Sequence, residues 1–246
     1  MAVVSDIWRY PIKAHGVEKL ESVTLEAGKT MPWDRTWAVL HEAAQSTGSK
    51  WAKCANFSRG AKAPKLMAIH SVFDEDAGVI TLSHPDLPDI QFNPDTESSV
   101  FLDWVQPLMP KDRARSTDIV RADRGMTDTP FESVSLLSHD SLRSLSNQAG
   151  VSLSSRRFRG NIWIKGLDAW EEFNWIGKKV RVGGAVLNVV ERIGRCMATH
   201  ANPDTGARDQ DVSSLLEKKW DHKDFGIYAE VIETGDIKSG DAVQVI

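Results

Sequence analysis

The chain has 246 residues, 41% hydrophobic and 26% charged, with nine tryptophans; this is ample material for a packed core and excludes intrinsic disorder. Its 30 basic and 34 acidic side chains leave a formal charge of −4, a mild, mixed balance that argues against a protein whose main task is to coat nucleic acid or an anionic membrane. No stretch nears the roughly 20 apolar residues that span a bilayer, and the N-terminal MAVVSDIWRYPIKAHG has no basic region followed by an apolar one, so a cytoplasmic protein without membrane association is expected.

In chain order, Val3 to Tyr10 has the β-branched and aromatic character of a strand, ending at Pro11, which cannot donate to a sheet ladder. Leu20 to Leu25, a turn through Gly28, and Trp37 to His41 continue the pattern at short spacing and predict a meander. Ser46 to Lys65, rich in Ser, Gly, Lys and Ala without periodicity, reads as a long loop, which compact domains often keep for function. Strands follow at Leu66 to Phe73 and Val79 to Leu82, with Asp74 to Gly78 as their hairpin turn. Phe101 to Val105 opens a short helix that Pro107 and Pro110 stop. The polar stretch Lys111 to Thr129 is the expected junction between two halves. Beyond it, Val134 to Leu137 is a strand, Ser138 an N-cap, and His139 to Gln148 a helix ended by Gly150. A second helix is expected from Val212 to Lys219, where Val212, Leu215 and Leu216 share a face. Asn161 to Ile164, Lys179 to Val182, Ala185 to Val190, Gly226 to Val231 and Ala242 to Ile246 are strands. Many strands and few helices mean a barrel or a sandwich.

Two cysteines, Cys54 and Cys196, lie far apart and are expected as free thiols. Cys196 stands between the apolar run Val186 to Val190 and the turn Pro203-Asp204-Thr205-Gly206, so its thiol is expected at or just beyond a strand end, where side chains reach a cleft. Arg192 and Arg195 nearby favour the thiolate, the form that attacks electrophiles and binds soft metals; the competing reading is a small buried hydrophobe. Arg156, Arg157 and Arg159 precede a strand, either as a solvated cluster or as bidentate donors to an anion. Lys13 and Arg35 also sit near strand ends. A structural zinc site is disfavoured, because Cys196 and His200 are the only close Cys/His pair. A Cys-His hydrolase has no supporting protease context, and neither Gly-x-Gly-x-x-Gly nor a P-loop is present. A lone cysteine with basic neighbours points instead to a soft metal in an anionic cofactor.

Phe158-Arg159-Gly160-Asn161-Ile162, Glu171 to Gly177, Arg195-Cys196, Asn202 to Gly206, Phe225 to Tyr228 and Gly235 to Asp241, taken in order, resemble the MOSC domain, found at the C-terminus of molybdenum cofactor sulfurases. Tyr10-Pro11-Ile12-Lys13 and Asp34-Arg35-Thr36-Trp37 are similar to the β-barrel domain that precedes MOSC in the amidoxime-reducing proteins. The resemblance implies a mainly β (α+β) fold, a MOSC β-barrel with a few short helices plus a smaller N-terminal β domain, divided as 1–115 and 116–246. It implies molybdenum cofactor (molybdopterin) between the two, with Cys196 as metal ligand and catalytic residue. Lys13, Arg35, Arg159, Asn161 and Arg195 are the implied cofactor-binding residues.

The activity so implied is that of a molybdenum-dependent oxidoreductase reducing N-hydroxylated or other N-oxygenated small molecules. The chain ends soon after Gly240-Asp241, without room for a cysteine-rich iron–sulfur domain, so electrons are expected from a separate haem or iron–sulfur protein. The alternatives are a sulfur-carrier or cofactor-delivery protein using a Cys196 persulfide, and a binding module without chemistry. Pyridoxal phosphate, attached to the family through a sulfurase, finds no Schiff-base lysine signature here. Three positions depart from the family pattern: Gly160 replaces the proline of Arg-Pro-Asn, Ala14 replaces a serine, and the 46–65 loop lacks the expected threonine-x-arginine.

Overall fold

Strands with one apolar face need a second apolar surface to bury it, and this chain meets the need by rolling one sheet into a ring. The computed structural model describes residues 1–246. The first half holds β1 (Ala2–Arg9), β2 (Glu18–Leu20), β3 (Ser22–Leu25), β4 (Trp37–His41), β5 (His70–Asp74), β6 (Val79–His84), β7 (Leu87–Phe92), α1 (Ser98–Val105) and β8 (Ser116–Arg121). The second holds β9 (Val134–Ser138), α2 (His139–Ala149), β10 (Ile162–Lys165), β11 (Lys179–Val182), β12 (Ala185–Gly194), α3 (Val212–Trp220), β13 (Asp224–Glu233), β14 (Gly235–Lys238) and β15 (Ala242–Val245).

Seven strands close the barrel in the order β10-β9-β13-β12-β11-β15-β1, with β1 pairing back onto β10 and β2 added beside β1. Only β9 and β10 run parallel, joined through α2. The interior is filled by fully buried residues such as Ile7, Leu136, Ile162, Val180, Leu187 and Ile227. On the outside of this ring, α2 and α3 bury Leu142, Leu145, Val212 and Leu216 against Phe158, Trp163 and Phe225. A second core, built on Trp37, Ile69, Ile80, Phe92 and Phe101, lies among β4 to β8 and α1. Grouping in space exchanges strands across residue 115: β1 is a barrel strand, whereas β8 pairs with β4.

Several expectations from local pattern are corrected. The first strands do not form a meander, because β3 pairs with β14 and β4 with β8; strand propensity carries no information about such distant partners. Leu66 to Phe73 is not one strand: Pro64–Ala68 forms a 3₁₀ turn that buries Leu66, Met67 and Ala68, and the strand starts at His70. An apolar run buried on every side does not distinguish the two. β8 lies inside the stretch read as a junction; it buries only Ile119, so its sequence looks polar. A further strand not expected from sequence, β7, contains Pro88 and lies at an edge of its three-stranded sheet, where proline is tolerated.

The predicted α2 boundaries follow from capping. The Ser138 hydroxyl accepts from the N–H groups of Asp140 and Ser141, and Gly150 ends the helix at φ 70°. Ser141 Oγ then accepts from Trp170 N–H and lies 2.8 Å from each carboxyl oxygen of Glu172. Glu172 is fully buried, and burial pushes its pKa up to about 7 against the opposing Ser141 hydrogen bond. A carboxyl group whose folded pKa is raised contributes full stability below its unfolded pKa and loses it as pH rises through the folded value. Wild-type protein is therefore expected to lose on the order of 3 kcal/mol relative to Glu172→Gln between about pH 4.5 and pH 7.5; parallel urea curves for the two proteins across that range would refute this.

Candidate functional site

A cavity of about 390 Å³ opens where the end of β1, the end of β12 and the 46–65 loop meet, and Lys13, Arg35, Arg159, Asn161, Arg195 and Cys196 all line it. The first two come from the turns after β1 and before β4. These turns are knitted together: Tyr10 N–H donates to Asp34 Oδ1 (2.9 Å), Arg35 N–H to Tyr10 O (2.7 Å) and Lys13 N–H to Trp37 O (2.7 Å). His15 is buried, and burial pulls its pKa down to about 4. As a neutral ring it donates from Nδ1 to Lys13 O (2.7 Å) and fixes the turn. Lys13 Nζ donates to Met126 O (2.7 Å) and pairs with Asp128 (2.5 Å).

Tyr10 is the centre of the arrangement. Its ring is fully buried, with the guanidinium carbons of Arg159 and Arg35 at 4.2 and 4.9 Å from the centroid. Burial pushes its phenol far above the usual range, so it stays neutral, and it donates to Gly160 O (3.2 Å). Arg35 also donates to Arg159 O (2.9 Å). Both arginines adopt left-handed backbone, φ 54° and 48°, a conformation that costs roughly 1–3 kcal/mol and concentrates at ligand clamps.

The opposite wall follows from β12. Its pairing with β13 runs to Gly194 opposite Asp224, and Arg195 N–H still bonds Lys223 O (2.8 Å). Cys196 then caps the 3₁₀ turn Met197–His200, with its thiol free and exposed. Arg195 donates to the carbonyls of Phe225 and Phe158. Burial lowers both Arg159 and Arg195 to about 10, so both remain cations at neutral pH. Neither has a carboxylate partner, and Arg159 Nη2 is buried without any hydrogen bond. A buried unmet donor on a desolvated cation is a standing cost that an anion would remove. Arg35 differs: burial opposes its charge, but Asp34 and then Asp128 hold its pKa above the usual value.

Other sequence candidates have other partners. Arg156 pairs with Asp204 and does not line this cavity, while Arg157 lines it but is held by Asp209 (2.7 Å) and His200 O (3.3 Å). Arg192 lies over the Phe173 ring and 4.0 Å from Asp224. Asn161 lines the cavity, yet its amide is engaged: Oδ1 accepts from Ser135 Oγ (2.8 Å) and N–H (3.3 Å), and Nδ2 donates to Trp8 O (3.3 Å). It holds β1, β9 and β10 in place. Cys54, expected only as a free thiol, also lines the cavity, as do three residues with no role expected from sequence: Tyr228 within the Phe225 to Tyr228 motif, Asp128 in the polar junction and Arg59 in the 46–65 loop.

The departure at Gly160 has a local cause. A Cβ there would collide with the Leu137 side chain, and one at Gly226, φ 79°, would stand 2.6 Å from the same residue. Leu137 thus occupies the space that a proline at 160 would need.

Comparison with known families matches residues 123–244 to the MOSC domain and residues 1–115 to the MOSC N-terminal beta barrel domain. Mitochondrial amidoxime reducing component 2 of Bos taurus is 24% identical, over 99% of this chain and 83% of its own length. Mitochondrial amidoxime-reducing component 1 of Xenopus laevis is 33% identical over 45% of this chain and 35% of its own. The crystal structure of the YUAD protein from Bacillus subtilis shares the fold with a TM-score of 0.50 at 12% identity, covering 100% of this chain and 96% of that one. No helix is long and apolar enough to cross a membrane.

Because Asn161 is buried and ties three strands together, Asn161→Ala is expected to lower stability by about 2 kcal/mol. A denaturation midpoint equal to that of wild type would refute this assignment.

Proposed function

The chain belongs to the MOSC proteins, with a MOSC N-terminal β-barrel domain ahead of the MOSC domain, and from this premise we propose that it is a molybdenum-cofactor-dependent reductase of N-oxygenated small molecules. The observation that carries the reading is one cavity holding an exposed thiol beside buried cations that have no carboxylate partner. The donor set fits the cofactor: a thiolate suits a soft, high-valent metal, and planar guanidiniums suit phosphate. The unmet Arg159 Nη2 is a position such a group would satisfy.

On this reading Cys196 holds the metal and Arg35, Arg159, Arg195 and Lys13 hold the phosphate and pterin. When bound, the cofactor supplies two-electron oxygen-atom transfer; the protein orients and tunes it. Tyr10 spaces Arg35 and Arg159. Asp128 is kept ionised, since Lys13 and then Arg35 outweigh its burial, and so anchors the Lys13 ammonium. Tyr228 lines the cavity with its pKa pushed up to about 12, foremost by burial. Its hydroxyl keeps its proton at neutral pH and serves as a donor to a substrate oxygen. Reduction of an N-oxygenated compound is in keeping with the names of the bovine and Xenopus amidoxime-reducing relatives, and the electrons for it come from a separate haem or iron–sulfur protein.

The exposure of the Cys196 thiol also suits a persulfide carrier. Wild-type protein from a cofactor-competent host is expected to carry near-stoichiometric molybdenum and to reduce benzamidoxime. Cys196→Ser should keep the fold and lose more than the roughly 100-fold in turnover that removing a ligand's supporting hydrogen bond costs. Metal-free wild type with a sulfur adduct on Cys196 by mass spectrometry would replace this function with sulfur delivery.

A further inference from the structure

Seven cationic side chains line the Cys196 cavity against two carboxylates, Asp128 and Glu191. Four of the cations have a carboxylate nearby: Lys13 with Asp128, Arg35 with Asp34, Arg157 with Asp209, and Arg192 at 4.0 Å from Asp224. Arg159 and Arg195 form the deep pair beside Tyr10 and Phe158 that the proposed function gives to the cofactor. Arg59 remains. It is half-buried, it has no carboxylate partner, and its side chain makes one hydrogen bond, from Nη1 to Cys54 Sγ at 3.2 Å. A sulfur acceptor is weak, so the protein itself takes up little of the guanidinium's donor capacity and leaves the rest open to solvent or a ligand.

The loop that carries Arg59 is held beside Cys196 by contacts from the second half of the chain. Arg208 donates to Ala61 O (2.8 Å). Gly60 lies so close to Met67 that a Cβ would stand 2.5 Å from the sulfur, and the same position is 3.7 Å from Ala198 Cβ, within the turn that Cys196 caps. The Arg59 carbonyl accepts from Lys62 and Ala63 N–H (3.0 Å each), so the bend is fixed from within as well. A guanidinium without a carboxylate partner is thus presented from a fixed loop to the same cavity as the Cys196 thiol.

We infer that Arg59 selects anionic substrates, pairing with a carboxylate on the N-oxygenated compound being reduced; this rests on the reductase reading of the same cavity. A neutral substrate filling the cavity would desolvate Arg59 without pairing it, whereas a carboxylate takes up its two parallel N–H donors. The excess of cations over carboxylates raises the local concentration of anions at the mouth in the same sense.

The test uses molybdenum-loaded wild-type protein, Arg59→Gln and Arg59→Lys, with benzamidoxime and 4-carboxybenzamidoxime as a matched pair and reduced viologen as electron source. Calorimetric titration of the same two compounds measures binding without turnover. The carboxylate is expected to be favoured in kcat/KM by roughly tenfold or more, the worth of a charged hydrogen bond. Arg59→Gln should collapse that ratio through KM, and Arg59→Lys should keep part of it. Equal treatment of the pair by wild type, a ratio unchanged in Arg59→Gln, or loss of molybdenum from that variant would overturn the inference. Reduction of both compounds without dependence on Arg59 sinks anion selection and leaves the reductase standing. Arg59-dependent binding of the carboxylate with no reduction of either compound sinks the reductase and leaves the anion site.

Discussion

The site depends on two guanidiniums packed around one neutral ring. Arg35 and Arg159 each lie within 5 Å of the Tyr10 centroid. Burying a cation costs several kcal/mol even after relaxation, and here two cations are buried together. The ring faces, the Asp34 carboxylate and the Arg159 carbonyl offset part of that cost. Both arginines take left-handed backbone so that their side chains turn back onto the ring. What is left over is a positive field in which Arg159 Nη2, like Nε of the neighbouring Arg157, has no hydrogen bond, and this surplus is what makes the cavity a place for an anion.

Such packing needs Arg35 and Arg159, 124 residues apart, to meet at Tyr10, and the barrel brings their segments together. β1 closes the ring by pairing with β10, and Trp8 N–H donates to Asn161 O (2.7 Å). The chain leaving β1 therefore emerges beside the chain entering β10. Tyr10 follows one and Arg159 precedes the other. The antiparallel register that fills the barrel interior with Ile7 and Ile162 is the same register that stacks the tyrosine on the arginine. Folding and site assembly are one constraint at this corner.

Legibility in sequence follows the range of the interaction. Local signals transfer well: the Ser138 cap and the Gly150 stop bound α2, and the apolar runs at 179–182 and 185–190 are strands, because capping and period-two burial are decided within a few residues. Pairings such as β3 with β14 or β4 with β8 are decided by partners far along the chain, and no local pattern encodes them. The site shows the same division. Cys196 was expected just past a strand end, and β12 does stop at Gly194. Asp128 and Arg59 carry no such marker: each sits in a polar loop, and only the folded chain brings them to a shared cavity. Family resemblance supplied the MOSC barrel and its N-terminal companion because it samples many chains at once, which the physics of one local segment does not.

The departures from the family pattern also acquire physical meaning. Gly160 is coupled to Leu137, whose side chain fills the volume a proline ring would take and also packs on Gly226. Phe225 and Phe158 stack at 4.1 Å beside it, and Arg195 hydrogen-bonds the carbonyls of both. The glycine therefore lets Leu137 pack directly behind the arginine-bearing turn. At Ala14 the backbone has φ 65°, a left-handed geometry that any side chain there must pay in strain, so position 14 constrains the direction of Lys13 through its backbone. The hydroxyl of a serine is not needed for that constraint. Both positions adjoin a cation that lines the cavity, Gly160 next to Arg159 and Ala14 next to Lys13, whereas Arg59 is placed by neither and depends on the contacts of its own loop with the turn at Cys196.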